Sequence, residues 1–193
     1  MTDFLNLDGR VAVVTGGASG IGLAISQALV AHGASVHVFD VSPEDGAVAP
    51  QCRFHAVDIC NSKAVEGAVL QLPAPVTLLV NNAGITRDRS TIKMSDDEWS
   101  SVISVNLTGA FHVVRALAPG MVKAGYGRIV NITSINGLRG KFGQANYCAS
   151  KAGLIGLTKT WAREFGPKGV TVNAVAPGMV MTAMARALPD DLL

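Results

Sequence analysis

Short apolar runs alternate along the chain with segments in which apolar residues recur every three or four positions. The apolar runs predict six β-strands, at residues 11–15, 35–39, 54–57, 76–81, 128–133 and 170–175. The longer periodic segments predict α-helices at residues 21–31, 96–123 and 144–165. Strands that alternate with helices are typical of βαβ units, which form a parallel sheet through right-handed crossovers.

The predicted fold class is therefore α/β, with a doubly wound parallel sheet between two layers of helices. No internal repeat or linker interrupts the pattern, so residues 1–193 are interpreted as a single domain. One connection departs from the pattern, because Pro43, Gly46 and Pro50 lie between the second and third predicted strands. The crossover helix there must be short or missing.

Composition narrows the class of protein. Hydrophobic residues make up 49% of the chain and charged residues 16%, which excludes a disordered chain. The net charge of +2 and the aromatic content of 5% argue against a nucleic-acid-binding surface. No window reaches the roughly 18 uninterrupted apolar residues of a membrane-spanning helix. The N-terminal segment MTDFLNLDGR is acidic where a signal peptide is basic, so we expect a cytoplasmic protein with no membrane partner.

Neither the histidines nor the cysteines indicate a metal site or a disulfide framework. The four histidines lack any ligand spacing such as H-E-x-x-H. The three cysteines form no C-x-x-C pair, and their odd number argues against paired disulfides. The sequence therefore predicts no metal.

A glycine-rich segment, TGGASGIG at 15–22, follows the first predicted strand and opens the first predicted helix. Its glycines at 16, 20 and 22 permit a tight turn and a close approach of the backbone to a pyrophosphate, which the helix N-terminus then binds. The spacing alone is weak, and a glycine-rich turn without a ligand is the alternative. Its place between a strand and a helix favours dinucleotide binding.

Asp40 ends the second predicted strand, 18 residues after Gly22. A carboxylate at this point accepts hydrogen bonds from the adenosine ribose and repels a 2′-phosphate. Neither the glycine segment nor the residues directly after Asp40 contain Arg or Lys, so the sequence favours NAD over NADP. A solvated aspartate without a ligand is the alternative. Asp58, placed at the end of the third predicted strand, is a candidate for an adenine contact by the same geometry.

Tyr147 and Lys151 lie four residues apart on one face of a predicted helix. A lysine ammonium about 4 Å from a phenol supplies about 4 kcal/mol at an effective dielectric constant near 20, enough to lower the phenol pKa from about 10 to about 7. The pair is therefore a candidate acid/base. By itself, a tyrosine and a lysine at this spacing are also an ordinary pair on a helix surface.

Further polar residues lie at the same predicted edge of the sheet. Ser134 follows the fifth predicted strand and can donate to a substrate carbonyl oxygen. A hydrolase nucleophile is disfavoured, because no G-x-S-x-G surrounds Ser134 and no histidine follows His112. Asn81-Asn82-Ala83-Gly84 ends the fourth strand. Asn106 lies within a predicted helix, where an isolated asparagine is usually a neutral surface residue.

This ordered set of residues resembles the short-chain dehydrogenase/reductase family from Arg10 to Thr182. The resemblance rests on TGGASGIG at 15–22, Asp58, NNAG at 81–84, Asn106, Ser134, YCASK at 147–151 and PGMVMT at 177–182. It implies a Rossmann fold that binds a nicotinamide dinucleotide and interconverts alcohols and ketones.

The resemblance also implies a role for each matching residue. Tyr147 would be the general acid/base, Lys151 would lower its pKa and bind the nicotinamide ribose, and Ser134 would orient the carbonyl. Asn106 would hold a water that relays protons to Lys151. The residues implied to contact the dinucleotide are Gly16, Ser19, Gly20, Ile21, Gly22, Asp40, Asp58, Ile59, Asn82, Ala83, Gly84, Tyr147, Lys151, Pro177, Gly178, Val180 and Thr182.

Within the family, the segments NNAGITRD, GYGRIVNITSINGLRGKFGQANY and GVTVNAVAPG are most similar to 3-oxoacyl-thioester reductases, especially acetoacetyl-CoA reductases. Those enzymes usually take NADPH and carry a basic residue in the glycine loop or after the second strand, where this chain has Ser19 and Asp40. The carrier-protein branch docks its carrier with two arginines, and the matching residues here are Gly125 and Lys168. We therefore expect an NAD-dependent enzyme whose substrate is a CoA ester or a small free ketone or alcohol.

Family members continue beyond the position of Leu193 with another strand and helix, so the C-terminal strand, helix and substrate lid are expected to be missing. A second hypothesis follows, namely a dinucleotide-binding module without turnover. The helical segments 106–123 and 147–165 resemble the family's four-helix interface, which implies a dimer or tetramer.

Overall fold

Six parallel strands lie at the centre of the computed structural model, which describes residues 6–42, 48–73 and 75–180. The strands are β1 (Val11–Thr15), β2 (Ser35–Asp40), β3 (Arg53–Ala56), β4 (Leu78–Asn81), β5 (Gly127–Ile132) and β6 (Val170–Val175). Their order in the sheet is β3-β2-β1-β4-β5-β6, and each neighbouring pair is parallel. The strand order reverses between β1 and β4, which confirms the predicted doubly wound Rossmann sheet.

Helices pack on both faces of this sheet. They are α1 (Gly20–Ala31), α2 (Ser62–Leu70), α3 (Asp96–Ile103), α4 (Ala110–Ala124), α5 (Asn136–Arg139) and α6 (Ala145–Phe165). A π-helical turn, Ser104–Gly109, joins α3 directly to α4. Ser95 begins α3 with a capping box that includes Glu98, and Gly125 ends α4 with a φ of +65°.

The central strands are buried on both faces, which explains the apolar composition. Successive side chains of β1 alternate between the faces, so Val11 and Val13 enter one core and Ala12 and Val14 enter the other. The first core is closed by residues of α2, α4 and α6, and the second by residues of α1.

The predicted elements differ from the observed ones in a few places. The bounds of β1 and β6 are as predicted, whereas β4 begins at Leu78, two residues later than expected. Asp58 lies two residues beyond the end of β3 rather than at its end. Helix α2 was not predicted; Asn61 begins it by accepting from the N–H groups of Lys63 and Ala64 at 3.1 and 3.2 Å. Of the connection between β2 and β3, the structure describes residues 41–42 and 48–52, which form no helix.

One helical stretch, Asp96–Ala124, is long and apolar enough to cross a membrane when only length and composition are considered. Its 18-residue apolar window has a mean hydropathy of 1.3 and is 44% buried within the protein. Val113, Leu117 and Met121 of this stretch pack into the first core against the sheet. The apolar character of the stretch is therefore explained by its packing as a core helix.

Candidate active site

The glycine segment forms a tight turn between β1 and α1. Gly16 has a φ of +62°, and a Cβ atom there would lie 2.8 Å from the Cα of Ala83. A Cβ on Gly22 would overlap the carbonyl oxygen of Gly16. Ser19 precedes the first turn of α1, and its side chain makes no capping hydrogen bond. The turn therefore requires glycine for close packing and leaves the α1 N-terminus available to an anion.

Asn82 and Thr15 join the carboxyl ends of β1 and β4 beneath this turn. The Nδ2 of Asn82 donates to the carbonyl oxygens of Thr15 and Gly16 at 3.1 and 2.9 Å. The Oγ1 of Thr15 accepts from the backbone N–H groups of Asn82 and Ala83 at 3.0 and 3.1 Å. Asn82 was predicted to belong to the site, whereas Thr15 was not. The sequence feature that could have identified Thr15 is a hydroxyl side chain on the last residue of a buried strand.

The two acidic residues predicted for the adenosine end lie at the same edge of the sheet. Asp40 accepts from the N–H of Ala18 at 3.2 Å through Oδ2 and from the N–H of Val41 at 2.8 Å through Oδ1. Asp58 accepts from the N–H of Cys60 at 2.8 Å. Burial, together with the neighbouring Asp58 carboxylate, raises the pKa of the Cys60 thiol to about 11. The thiol therefore stays neutral, and the negative charge at this end belongs to the carboxylates.

Helix α6 carries Tyr147 and Lys151 to the carboxyl edge of β5. Its first turn is anchored by the buried Asn146, whose Nδ2 donates to the carbonyl oxygens of Arg87 and Glu98 at 3.0 and 2.9 Å. The ammonium of Lys151 donates to the carbonyl oxygen of Ile132 at 2.8 Å and lies 5.7 Å from the centroid of the Tyr147 ring. The predicted pair is thus brought together on one helix face.

The structure corrects the expected direction of the tyrosine pKa. Burial raises the pKa of Tyr147 above its ordinary value, and a side-chain hydrogen bond with Ser134 opposes this effect. Burial also lowers the pKa of Lys151 to about 8. The physical reason is desolvation, which disfavours both the phenolate and the ammonium.

Ser134 and Tyr147 form the centre of the predicted catalytic group. Ser134 is buried two residues after the end of β5, and its Oγ accepts from the N–H of Asn136 at 3.1 Å. The hydrogen bond between Ser134 and Tyr147 leaves the two hydroxyls side by side. Two hydroxyls in this arrangement can both reach one carbonyl oxygen of a substrate.

Asn106 lies in the π-helical turn Ser104–Gly109 and is buried. Its Nδ2 donates to the carbonyl oxygen of Ile85 and to the Oγ of Ser150, at 3.0 and 3.1 Å. Its Oδ1 accepts from the N–H of Ile85 at 2.8 Å. Both amide hydrogens are therefore committed, so a water bound by this side chain could only donate to Oδ1. The side chain ties the NNAG segment to α6 beside Lys151.

A cavity of about 690 Å³ connects these groups, a volume suited to a large organic ligand. The predicted site residues that line it are Gly16, Ser19, Gly20, Ile21, Asp40, Asp58, Ile59, Asn82, Ala83, Gly84, Ser134, Tyr147, Lys151, Pro177, Gly178 and Val180. Gly22 and Asn106 lie outside the lining and act through packing and hydrogen bonds. Thr182 lies outside the described residues.

A polar cluster at the catalytic end of the cavity was missed by the sequence reasoning. Gln144 donates through Nε2 to the Oδ2 of Asp88 at 2.8 Å. Asn136 donates through Nδ2 to the Oε1 of Gln144 at 3.0 Å. Both Asp88 and Gln144 line the cavity. Their side chains come from three separate segments, so no local motif could have predicted their contact.

The cavity fits a nicotinamide dinucleotide on the chemistry of its walls. Glycines that cannot carry a Cβ and a free helix N-terminus suit the pyrophosphate, and the carboxylate of Asp40 beside Ala18 suits ribose hydroxyls. Over residues 6–42, 48–73 and 75–180, no group of three or more His, Cys, Asp or Glu residues could hold a metal ion.

Comparisons with known proteins agree with this geometry. A family model described as short chain dehydrogenase matches residues 10–193. The chain is 42% identical to the 3-oxoacyl-[acyl-carrier-protein] reductase FabG of Vibrio harveyi, over 97% of this chain and 80% of that protein. It is 46% identical to the acetoacetyl-CoA reductase of Rhizobium meliloti (strain 1021), over 95% of this chain and 79% of that protein. The crystal structure of gox2181 matches with a TM-score of 0.88 at 34% identity, over 94% of this chain and 76% of that chain.

The chain therefore belongs to the short-chain dehydrogenase family. It is an oxidoreductase of the type that binds a nicotinamide dinucleotide in a Rossmann fold. Its similarity to the two kinds of thioester reductase extends over most of the chain.

Proposed function

We propose that the protein interconverts a ketone and a secondary alcohol with NAD(H), and that the favoured substrate is a 3-oxoacyl thioester. The observation that carries the proposal is the meeting of Ser134, Tyr147 and Lys151 in one cavity with the glycine segment. The relatives named as 3-oxoacyl-[acyl-carrier-protein] reductase and acetoacetyl-CoA reductase favour the thioester.

When held along the glycine segment, a reduced dinucleotide would supply the hydride that the carbonyl carbon takes up in the reduction. Tyr147 donates its phenolic proton to the carbonyl oxygen, and Ser134 donates a hydrogen bond to the same oxygen. The phenolate of Tyr147 then regains a proton from solvent. With a pKa of about 8, Lys151 is cationic at pH 7, so its charge favours the phenolate that the transfer leaves.

The proposed preference for NAD rests on Asp40. Its carboxylate contacts the glycine segment through the N–H of Ala18, at the place where a 2′-phosphate would bring a second negative charge. The residues that follow Asp40 in the sequence, VSPED, add acidic and no basic side chains.

Replacement of Asp40 by asparagine tests this preference, because it removes the charge and nearly preserves the shape. We expect the ratio of kcat/KM for NADH to that for NADPH to fall at least about tenfold, since juxtaposed like charges cost several kcal/mol. Asp97→Asn, on the exposed first turn of α3, is the matched control. Equal use of NADH and NADPH by the unaltered protein would contradict the preference.

Turnover with a panel of ketones tests the activity. NADH consumption with acetoacetyl-CoA, acetoacetate and simple secondary ketones is measured beside NADH binding, which the cofactor's fluorescence reports. We expect turnover to be highest with the thioester. Binding of NADH without consumption of any ketone would instead favour the dinucleotide-binding module.

We further propose that the protein assembles with itself through α4 and α6. Phe111 on α4 is 38% exposed, which leaves part of a large apolar side chain in water on this helix. Sedimentation of the protein is expected to show a dimer or tetramer, and a stable monomer across micromolar concentrations would contradict the assignment.

A further inference from the structure

Two cations line the catalytic end of the cavity, and we propose that they bind a phosphate on the arm of the thioester substrate. The cations are Arg139 and Lys141, which lie on either side of Gly140 in the segment after Ser134. The inference rests on the proposed function, because it names the part of the thioester that the protein recognises.

The backbone places these cations away from the reacting carbonyl. From Ser134 the chain enters the helical turns of α5, in which the N–H of Gly137 donates to the carbonyl oxygen of Ser134 at 3.0 Å. A helical rise over the five residues to Arg139 separates the two Cα atoms by about 7.5 Å. An anion that meets Arg139 and Lys141 is therefore separate from the ketone that Ser134 would hold, and we assign it to another part of the substrate.

No carboxylate of the described part of the chain neutralises Arg139 or Lys141. The ion pairs found there join Arg89 to Glu98 and Arg115 to Glu66. Asp88 is the acidic residue at this end of the cavity. Its carboxylate accepts from Gln144 and forms no ion pair with either cation.

Acidic and basic side chains line different ends of the cavity. Asp40 and Asp58 lie at the adenosine end, where the ligand presents neutral hydroxyl and base groups. Arg139 and Lys141 line the opposite end, in the segment that follows Ser134 after β5. Because the glycine turn is assigned to the pyrophosphate of the dinucleotide, Arg139 and Lys141 are available to an anionic group of the substrate.

The geometry of Arg139 suits a phosphate. Its Nε donates to the Oδ1 of Asn136 at 3.1 Å, which orients the guanidinium. The two terminal nitrogens then remain for an oxyanion, and a guanidinium can bind two oxygens of one phosphate. Lys141 is half-buried in the cavity wall and adds a second positive charge. Thioesters of coenzyme A and of a phosphopantetheine carrier both present a phosphate on the arm.

The experiment compares acetoacetyl-CoA with acetoacetyl-pantetheine, which has the same thioester and no phosphate. The test variant is Arg139→Gln/Lys141→Gln, and Lys141→Gln alone keeps the contact between Arg139 and Asn136. The matched control, Lys63→Gln/Lys93→Gln, removes two exposed positive charges outside the cavity.

For acetoacetyl-CoA we expect the double variant to lower kcat/KM by about tenfold, mainly through a higher KM, because the lost contacts bind ground state and transition state alike. Activity toward acetoacetyl-pantetheine, and activity of the control variant, should stay within about twofold of the unaltered protein. Lys141→Gln should give a smaller loss with the same substrate selectivity.

The outcomes separate this inference from the proposed function. If the unaltered protein reduces neither thioester, the proposed function fails. Suppose instead that the unaltered protein reduces both thioesters. If the double variant then loses activity equally on both substrates, or loses activity on neither, the phosphate site is refuted and the proposed function stands. If the double variant loses activity on acetoacetyl-CoA and not on acetoacetyl-pantetheine, an acetoacetyl carrier protein distinguishes the source of the phosphate. Equal losses on the carrier and on CoA assign the shared arm phosphate, and a loss on CoA alone assigns the CoA ester.

Discussion

Replacement of Lys151 by methionine tests the buried charge at the centre of the site. Lys151 is 3% exposed, and burial lowers its pKa from the ordinary 10.5 to about 8. Between pH 8 and 10.5, the unfolded chain therefore holds a proton that the folded protein has released. The free energy of unfolding of the unaltered protein must rise with pH in this window, relative to a variant that lacks the amine.

The expected size of this rise is about 2 kcal/mol between pH 7 and pH 9.5. Denaturant unfolding of both proteins at each pH measures it. Lys159→Met is the control, because Lys159 is exposed on the same helix and its ammonium remains in water. A difference between the Lys151→Met variant and the unaltered protein that is constant in pH, or that changes in the other direction, would refute the reasoning that burial penalises this ammonium.

Two further substitutions test the packing of the site and a buried histidine pair. In Gly84→Ala the new Cβ would lie 3.3 Å from the Oδ1 of Asn106 and 3.4 Å from the Nζ of Lys151, so a neighbour must shift by a few tenths of an ångström. We expect kcat from initial rates to fall by about two- to threefold, and an unchanged kcat would contradict this close approach. His37 and His55 face each other across β2 and β3 with ring nitrogens 2.9 Å apart, and burial lowers the pKa of both below 6.5. The unfolded chain takes up these protons first, so stability is lost as pH falls below 6.5. His37→Asn should flatten this loss between pH 7 and 5, and an unchanged acid profile would contradict it.

The sequence pattern predicted most of the sheet, because buried parallel strands are continuous apolar runs. The strands β1 and β6 were predicted with their observed bounds. Helix α2 was missed because its nine residues contain Gly67 and its apolar face is short, so the helical period is weak. The π-helical turn Ser104–Gly109 was also missed, since its extra residue shifts the apolar pattern by only one position, and α-helical segments continue the pattern on both sides.

The parts of the candidate site that were predicted are those whose residues lie within one local sequence motif. The glycine segment and the helix pair of Tyr147 and Lys151 are examples, because strand ends and helix faces place their residues directly. The contact between Asp88 and Gln144 joins distant segments, so it depends on loop packing that the sequence does not encode locally. The direction of the Tyr147 pKa depends on burial, which spacing alone does not report.

The central claim is that Tyr147 donates the proton in a ketone reduction. Tyr147→Phe removes one hydroxyl and retains the ring, so the affinity for NADH measured by fluorescence should weaken by no more than about tenfold, the effect of one lost hydrogen bond. With the best ketone of the panel, kcat is expected to fall at least about 100-fold, since a positioned acid contributes a factor of that order or more. Full turnover by Tyr147→Phe would contradict the claim, and a loss of turnover with intact NADH binding would support it.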